Sequence, residues 1–257
     1  MRTTKAAPDF DAVAPDFDRH RALPEDAAKA VRDTVLAQLA PRPRLLDLGA
    51  GSGRIGWPFA AADDDYVGVD LSFGMLRAFK ERQRAAALAQ ADGCALPFRD
   101  KIFDAVLLVQ IFGGLTRWRA LVDETLRVLR PRGTLMLGRT VTPDDGVDAR
   151  MKRQLAAILG EPVAGKPNTR AAVELYLEET ARATAEIDAA QWNVTRTPRD
   201  FIDRHSGGAR FSKLSPDLRA RSLSQLADWA ADTFGGLDAG FTETHRFTLR
   251  TFTFAER

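Results

Sequence analysis

The stretch "LLDLGAGSGRIG", residues 45 to 56, constrains this chain more than any other. A short apolar run gives way to glycines at 49, 51, 53 and 56, the pattern of a buried strand that breaks into a tight loop and then a helix. Glycines there let the backbone approach a ligand that a β-carbon would hold away, and the helix N-terminus that follows favours negative charge. A P-loop needs lysine and then serine or threonine after its glycines; Arg54, Ile55 and Gly56 stand in that place, which argues against nucleoside triphosphate hydrolysis. Gly51, Gly53 and Gly56 satisfy the dinucleotide pattern G-x-G-x-x-G, with Asp70 about 20 residues further on, but only if the strand ends two residues late. Counted from Gly49, the first glycine after the apolar run, the pattern is G-x-G-x-G, and Asp47 lies two residues before it.

Two further acids follow in phase with Asp47. Asp70 closes the apolar segment "YVGVDLS", and Asp92 follows "LAQ" in "ADGCALPF". Three carboxylates at the carboxyl ends of consecutive strands converge on the crevice where such sheets bind ligands. That set suits a positively charged, hydroxyl-bearing ligand better than a pyrophosphate.

From Arg44 onward, short apolar runs alternate with helical stretches: "RLLDLG", "YVGVDLS", a brief strand near "LAQADG", "FDAVLLVQIF" and "GTLMLGRT". Among the helices, "WRALVDETLRVLRP" lines up Leu121, Val122, Leu126 and Leu129, with Pro131 and Gly133 as its stop. The rhythm predicts an α/β fold: a Rossmann-like doubly wound sheet, mostly parallel, with an antiparallel terminal strand and a helical insertion covering the cleft. Ahead of it, residues 1–40 form an arm with "APDFD" twice and a helix from Pro24 that carries Val31, Val35 and Leu39. Residues 41–142 form the binding core. Residues 143–190 read as a helical insertion that would act as a substrate lid, with "TRAAVELYLEETARATAEIDAA" as its clearest helix. Residues 191–257 complete the sheet: a helix capped by Ser215 and ended by Gly235, then a strand with Phe247, Leu249, Phe252 and Phe254, expected to pair antiparallel with "WNVTRT".

Composition narrows the function classes. The 257 residues are 45% hydrophobic, enough for one sizeable core plus a modest insertion. A net charge of +2 from 37 basic and 35 acidic residues gives no bias toward nucleic acid or an anionic membrane, so a small-molecule partner is expected and no nucleic acid or membrane. The single cysteine, Cys94, excludes an intramolecular disulfide, and no apolar run has the length of a signal or membrane-spanning segment, so the expected compartment is cytoplasmic. The three histidines are too scattered for a metal site, and none is expected. The chain is expected as a monomer or homodimer.

Taken in order and spacing, "LLDLGAGSGRIG", "VGVDLSFGML", "ADGCALPFRDKIFDAVLLVQIF" and "LRVLRPRGTLML" resemble the class I S-adenosylmethionine-dependent methyltransferases, in particular the small-molecule group related to quinone-biosynthesis enzymes. The resemblance implies S-adenosyl-L-methionine as cofactor, held along the backbone of Gly49, Ala50, Gly51 and Gly53. It implies that Asp70 accepts from both ribose hydroxyls, a geometry in which two carboxylate oxygens meet two donors. Leu71 and Met75 would flank the adenine, Asp92 would accept from its exocyclic amine, and backbone at Gly93 or Cys94 would donate to a ring nitrogen. Asp47 and the backbone near Gln110 would favour the ammonium and sulfonium charges. "FDRHR" resembles a tyrosine-aspartate-arginine segment of relatives, which would place Arg21 near the cofactor carboxylate, with Phe17 where tyrosine is common.

"VQIFGGL" carries glycines where many relatives carry histidine, so no catalytic base is assigned. Methyl transfer from a sulfonium needs in-line approach and releases a neutral thioether, so positioning supplies much of the catalysis. His245 is expected as an exposed strand residue, Asp63 to Asp65 as a solvated loop, and Asp104 as a structural turn residue. Trp192, Phe211 and Tyr176 are candidates for an acceptor pocket or for the insertion's own core. Three rivals stay open: an NAD-dependent oxidoreductase, an RNA methyltransferase, and a non-catalytic S-adenosylmethionine-binding protein.

Overall fold

A computed structural model describes residues 23–113, 115–160, 168–206, 211 and 214–255. The described chain runs α1 (Glu25–Ala37), β1 (Leu45–Leu48), α2 (Trp57–Ala61), β2 (Tyr66–Asp70), α3 (Phe73–Arg82), β3 (Ala87–Gln90), β4 (Phe103–Val109), α4 (Trp118–Val128), β5 (Leu129–Val141), α5 (Val147–Ile158), α6 (Thr169–Glu178), β6 (Ala183–Arg196), α7 (Pro198–Ser206), α8 (Pro216–Phe234) and β7 (Phe241–Thr253). The strands lie in the order β3-β2-β1-β4-β5-β7-β6. Neighbours from β3 to β5 are parallel, in a register that sets Asp47 beside Gly68 and Leu107. β7 is antiparallel to β6: the Arg182 N–H donates to Thr253 O at 2.8 Å, and Thr244 Oγ1 donates to Asn193 Oδ1 at 3.0 Å. The fold is therefore the α/β, Rossmann-like, mostly parallel sheet with an antiparallel terminal strand that the sequence predicts. The order reverses between β1 and β4, the switch point at which such sheets open a crevice beyond their carboxyl edge.

Contacts divide the chain into two units. The first contains the described residues up to Thr140, Thr169–Ala190 and those from Phe247 onward. Its core joins Leu46, Leu48, Val106 and Leu108 of the central strands to Leu121 and Val122 of α4 and Val173 and Leu177 of α6. Side chains of this size contribute about 1.5–3 kcal/mol each when fully buried. Val31 and Val35 of α1 are buried as their fourfold spacing requires, and Asp104 ties Arg44 N–H and the Arg130 guanidinium as a structural residue should. The second unit contains the described residues of Val141–Asn168 and Gln191–Arg246. Its own core is built from Val147, Met151 and Leu155 of α5, Phe201 of α7, Phe211, and Leu226, Ala230 and Phe234 of α8. In α8, Ser215 accepts from Leu218 N–H at the start and Gly235 takes a left-handed φ of 77° at the end.

Two helix readings need correction. The helix in "WRALVDETLRVLRP" stops at Val128, because Leu129 turns extended and pairs with Phe103 in the sheet; burying Leu129 against the core outweighs its helix propensity. The helix expected through Ala190 stops at Glu178. Residues from Ala183 are strand β6, because pairing with β7 overrides the helix preference of an alanine-rich segment.

Candidate functional site

The loop between β1 and α2 is fastened from its sides and below. Gly49 and Ala50 donate their N–H groups to Val69 O at 2.7 and 3.0 Å, which ties the loop to β2. A β-carbon at Gly49 would stand 2.5 Å from Ile111 Cγ2, and one at Gly53 would stand 2.2 Å from the Phe79 ring. Gly51, with φ of 56°, differs: a β-carbon there meets nothing within 4 Å. The loop thus presents bare backbone to open space at one residue, the cradle that a ligand lying against the chain requires.

The predicted acids border that cradle in different states. Asp47, on β1, is 2% exposed and accepts from the Tyr66 hydroxyl at 2.7 Å. Burial pushes its carboxyl up to about 7, against the Tyr66 hydrogen bond and the Arg54 charge and with the help of Asp70. Asp70 closes β2 and accepts two backbone N–H bonds, from Gly51 on Oδ2 and from Ser72 on Oδ1, each 2.9 Å. Asp92, beyond β3, accepts from Cys94 N–H at 2.8 Å and from Arg117 at 3.2 Å. The Cys94 bond, and then the Arg117 charge, hold it below the usual carboxylate range. At the end of β4, Gln110 has φ of 54°, donates its N–H to Gly138 O at 3.2 Å and accepts from Arg54 on its side-chain oxygen.

Other predicted positions fall as follows. Leu71 is 64% exposed beside Asp70, whereas Met75 is 3% exposed and packed into the core. The exposed apolar neighbour of Leu71 is Phe73, at 61%, which sequence reasoning passed over. A β-carbon at Gly93 would press on Leu121 and Leu48 at 3.1 and 3.2 Å. Cys94 is half-buried, with its thiol pushed up by burial and then by Asp92. Its N–H is engaged by Asp92. Arg21, His20 and Phe17 lie outside the described residues.

Two readings of surrounding residues change. His245 is not exposed; it is 5% accessible, within 3.3 Å of Glu243 Oε2 and edge-on to Trp192, because β7 turns its odd-numbered residues inward here. Asp64 does not stand free in solvent but forms two hydrogen bonds to Arg32, at 2.6 and 2.9 Å. Phe211 belongs to the second unit's core, and Tyr176 packs edge-on to Trp118. No group of three or more potential metal ligands occurs among the described residues. Sequence reasoning also missed Tyr66 and Arg54 as partners of Asp47 and Gln110; the two residues lie 19 and 56 positions from those partners, so no local spacing signals them.

A parallel sheet with a glycine cradle at its switch point and carboxylates at successive strand ends is the arrangement in which doubly wound α/β proteins bind a nucleoside-bearing ligand. The sequence profile described as "Methyltransferase domain" matches residues 46–137. A demethylmenaquinone methyltransferase of Renibacterium salmoninarum is 31% identical over 204 residues, covering 74% of this chain and 82% of that protein. Another from Paenarthrobacter aurescens is 29% identical, covering 80% and 83%. Among solved structures, the YcgJ protein of Bacillus subtilis shares the fold at TM-score 0.53 and 19% identity, covering 89% of this chain and 99% of that one.

The chain belongs to the class I S-adenosylmethionine-dependent methyltransferase family, in the group related to quinone-biosynthesis methyltransferases, and its cofactor is S-adenosyl-L-methionine. These matches favour none of the nicotinamide, RNA-directed or non-catalytic readings. No described helix is long and apolar enough to cross a membrane.

Proposed function

We propose that this methyltransferase acts on a small aromatic acceptor of the reduced-quinone type and holds its cofactor through the residues of the glycine cradle. The observation that carries the cofactor assignment is the open space over Gly51 beside Asp70. S-adenosylmethionine supplies a methyl group on a sulfonium, whose departure as a neutral thioether needs no acid. The chain's own residues position it.

Each Asp70 oxygen accepts one backbone N–H and has further lone-pair capacity, which two ribose hydroxyls would take. Gly49, Ala50, Gly51 and Gly53 give the backbone floor. Leu71, with Phe73 exposed beside it, offers the apolar surface for adenine, backed by the buried Met75. Asp92, held as a carboxylate, is poised to accept from an amine. Because Cys94 N–H is already bonded, donation to the ring nitrogen is assigned to Gly93. Asp47 and the backbone at Gln110 serve the cationic end, and Arg21 is assigned to the cofactor carboxylate.

The names of the relatives support a quinone-type acceptor. A ring carbon that accepts a methyl group must lose its proton, and ionisation of an adjacent hydroxyl makes that carbon nucleophilic. No catalytic base is assigned. Acceptor selection is assigned to residues 143–211, with the part of 143–190 that precedes α6 as the lid, and the protein to the cytoplasm.

The test is incubation with S-adenosylmethionine and a reduced naphthoquinone that lacks one ring methyl. Mass spectrometry should show product heavier by one methylene and one equivalent of S-adenosylhomocysteine. Hydrolysis of cofactor without methylated product, or methylation only of an unrelated acceptor, would refute the acceptor class.

A further inference from the structure

Several features that shape the glycine loop meet at one phenol. Tyr66 opens β2 and is 4% exposed. Its ring stacks on Phe59, with centroids 5.6 Å apart, and meets Phe79 edge-on at 6.2 Å. Phe79 is also the ring that a β-carbon at Gly53 would strike. The register sets Tyr66 beside Leu45 and Gly68 beside Asp47, so the phenol runs two residues along the strands to bring its hydroxyl to Asp47 Oδ2, 2.7 Å away. Backbone closes over the phenol oxygen: a β-carbon at Gly56 would stand 1.9 Å from it and one at Gly68 3.1 Å. Gly53 and Gly56 thus fit the loop to its aromatic floor, and Gly51 is the glycine left to face a ligand.

We propose that Tyr66 is a positioning residue of the cofactor site: its hydroxyl donates to the Asp47 carboxylate and fixes it beneath the glycine loop, aimed for the cationic amino-acid end of the cofactor. Tyr66 touches no ligand itself. The inference rests on the assignment of Asp47 to that end of the cofactor. The charged and titratable groups acting on Asp47 are Tyr66 and Asp70 of β2 and Arg54 of the loop. Burial drives the carboxyl toward its neutral form, and the Tyr66 hydrogen bond is the largest influence in the other direction. Removing the hydroxyl while keeping the ring therefore moves Asp47 titration to higher pH.

The experiment measures S-adenosylhomocysteine affinity from about pH 6 to 8.5 for the wild type, Tyr66→Phe, Asp47→Asn and the double variant. Wild-type affinity should rise through about pH 7. Tyr66→Phe should shift that rise upward by about one pH unit, lose about fivefold at pH 7 and recover most of it at the alkaline end. Asp47→Asn should bind weakly without that rise, and Tyr66→Phe should add nothing to it. A Tyr66→Phe profile with the wild-type midpoint, a loss equal at every pH, or additive losses in the double variant would overturn the inference. Wild-type affinity and pH dependence in Asp47→Asn would instead overturn the assignment of Asp47. Because Tyr66→Phe can weaken the fold, trifluorotyrosine at 66 in a Tyr176→Phe background serves as a second probe. It keeps the ring and strengthens the donor, so the midpoint should move down; an upward or absent shift contradicts the inference.

Discussion

Asp70 Oδ2 accepts the Gly51 N–H at 2.9 Å, so the carboxylate that ends the second strand also fixes the one loop glycine with open space before it. The pairing separates two kinds of glycine. Alanine at Gly51 meets no atom, and its cost to the fold is the left-handed conformation alone, about 1–2 kcal/mol. The new methyl group would occupy the cradle, so S-adenosylhomocysteine affinity should fall at least about tenfold while cooperative unfolding persists. Alanine at Gly53 presses on Phe79 and should cost about 1–3 kcal/mol from overpacking in addition to that strain, seen as a lower melting midpoint without ligand.

Asp47 makes stability depend on pH in a stated direction. Its carboxyl lies at about 7 in the fold against an ordinary 3.8, so between those values the folded chain holds a proton that the unfolded chain releases. Stability is then full below about pH 4, falls as pH rises through 7, and the loss is complete above it. Asp47→Asn removes this contribution, and denaturant unfolding at pH 8 should show it more stable by about 1–3 kcal/mol, with little difference at pH 4.

The second unit carries the opposite case. Burial pushes the Asp148 carboxyl up, but the two hydrogen bonds and the charge of Arg204 outweigh it and hold the group low. Both side chains are nearly buried, so Arg204→Met leaves an uncompensated carboxylate and should cost about 2–4 kcal/mol at pH 7. A lowered carboxylate stabilises above its unfolded value and ceases to as pH falls through its folded value. The penalty should therefore shrink below pH 4, a trend that urea titrations at pH 3 and 7 would reveal.

The parallel strands were legible because the buried ones are short apolar runs ending at glycine or aspartate, as in Leu45 to Gly49 and Tyr66 to Asp70. The aspartates at the crevice were legible for the same reason: strand ends are marked in the sequence. What stayed hidden depends on contacts between distant segments. Ala183–Arg196 carries helix-forming residues but is held extended by β7, and Met75 and Phe73 exchange surface and interior according to how α3 packs. Tyr66 gave no sign of its bond to Asp47, because the phenol reaches a neighbouring strand rather than a sequence neighbour.

The measurement that bears most directly on the site is a calorimetric titration of the wild type and Asp70→Ala with S-adenosylhomocysteine, run beside NAD. The wild type should bind the first and not the second, and the substitution should weaken binding by about 1.5–3 kcal/mol. Undiminished affinity in Asp70→Ala, or preference for NAD, would contradict the cofactor site described.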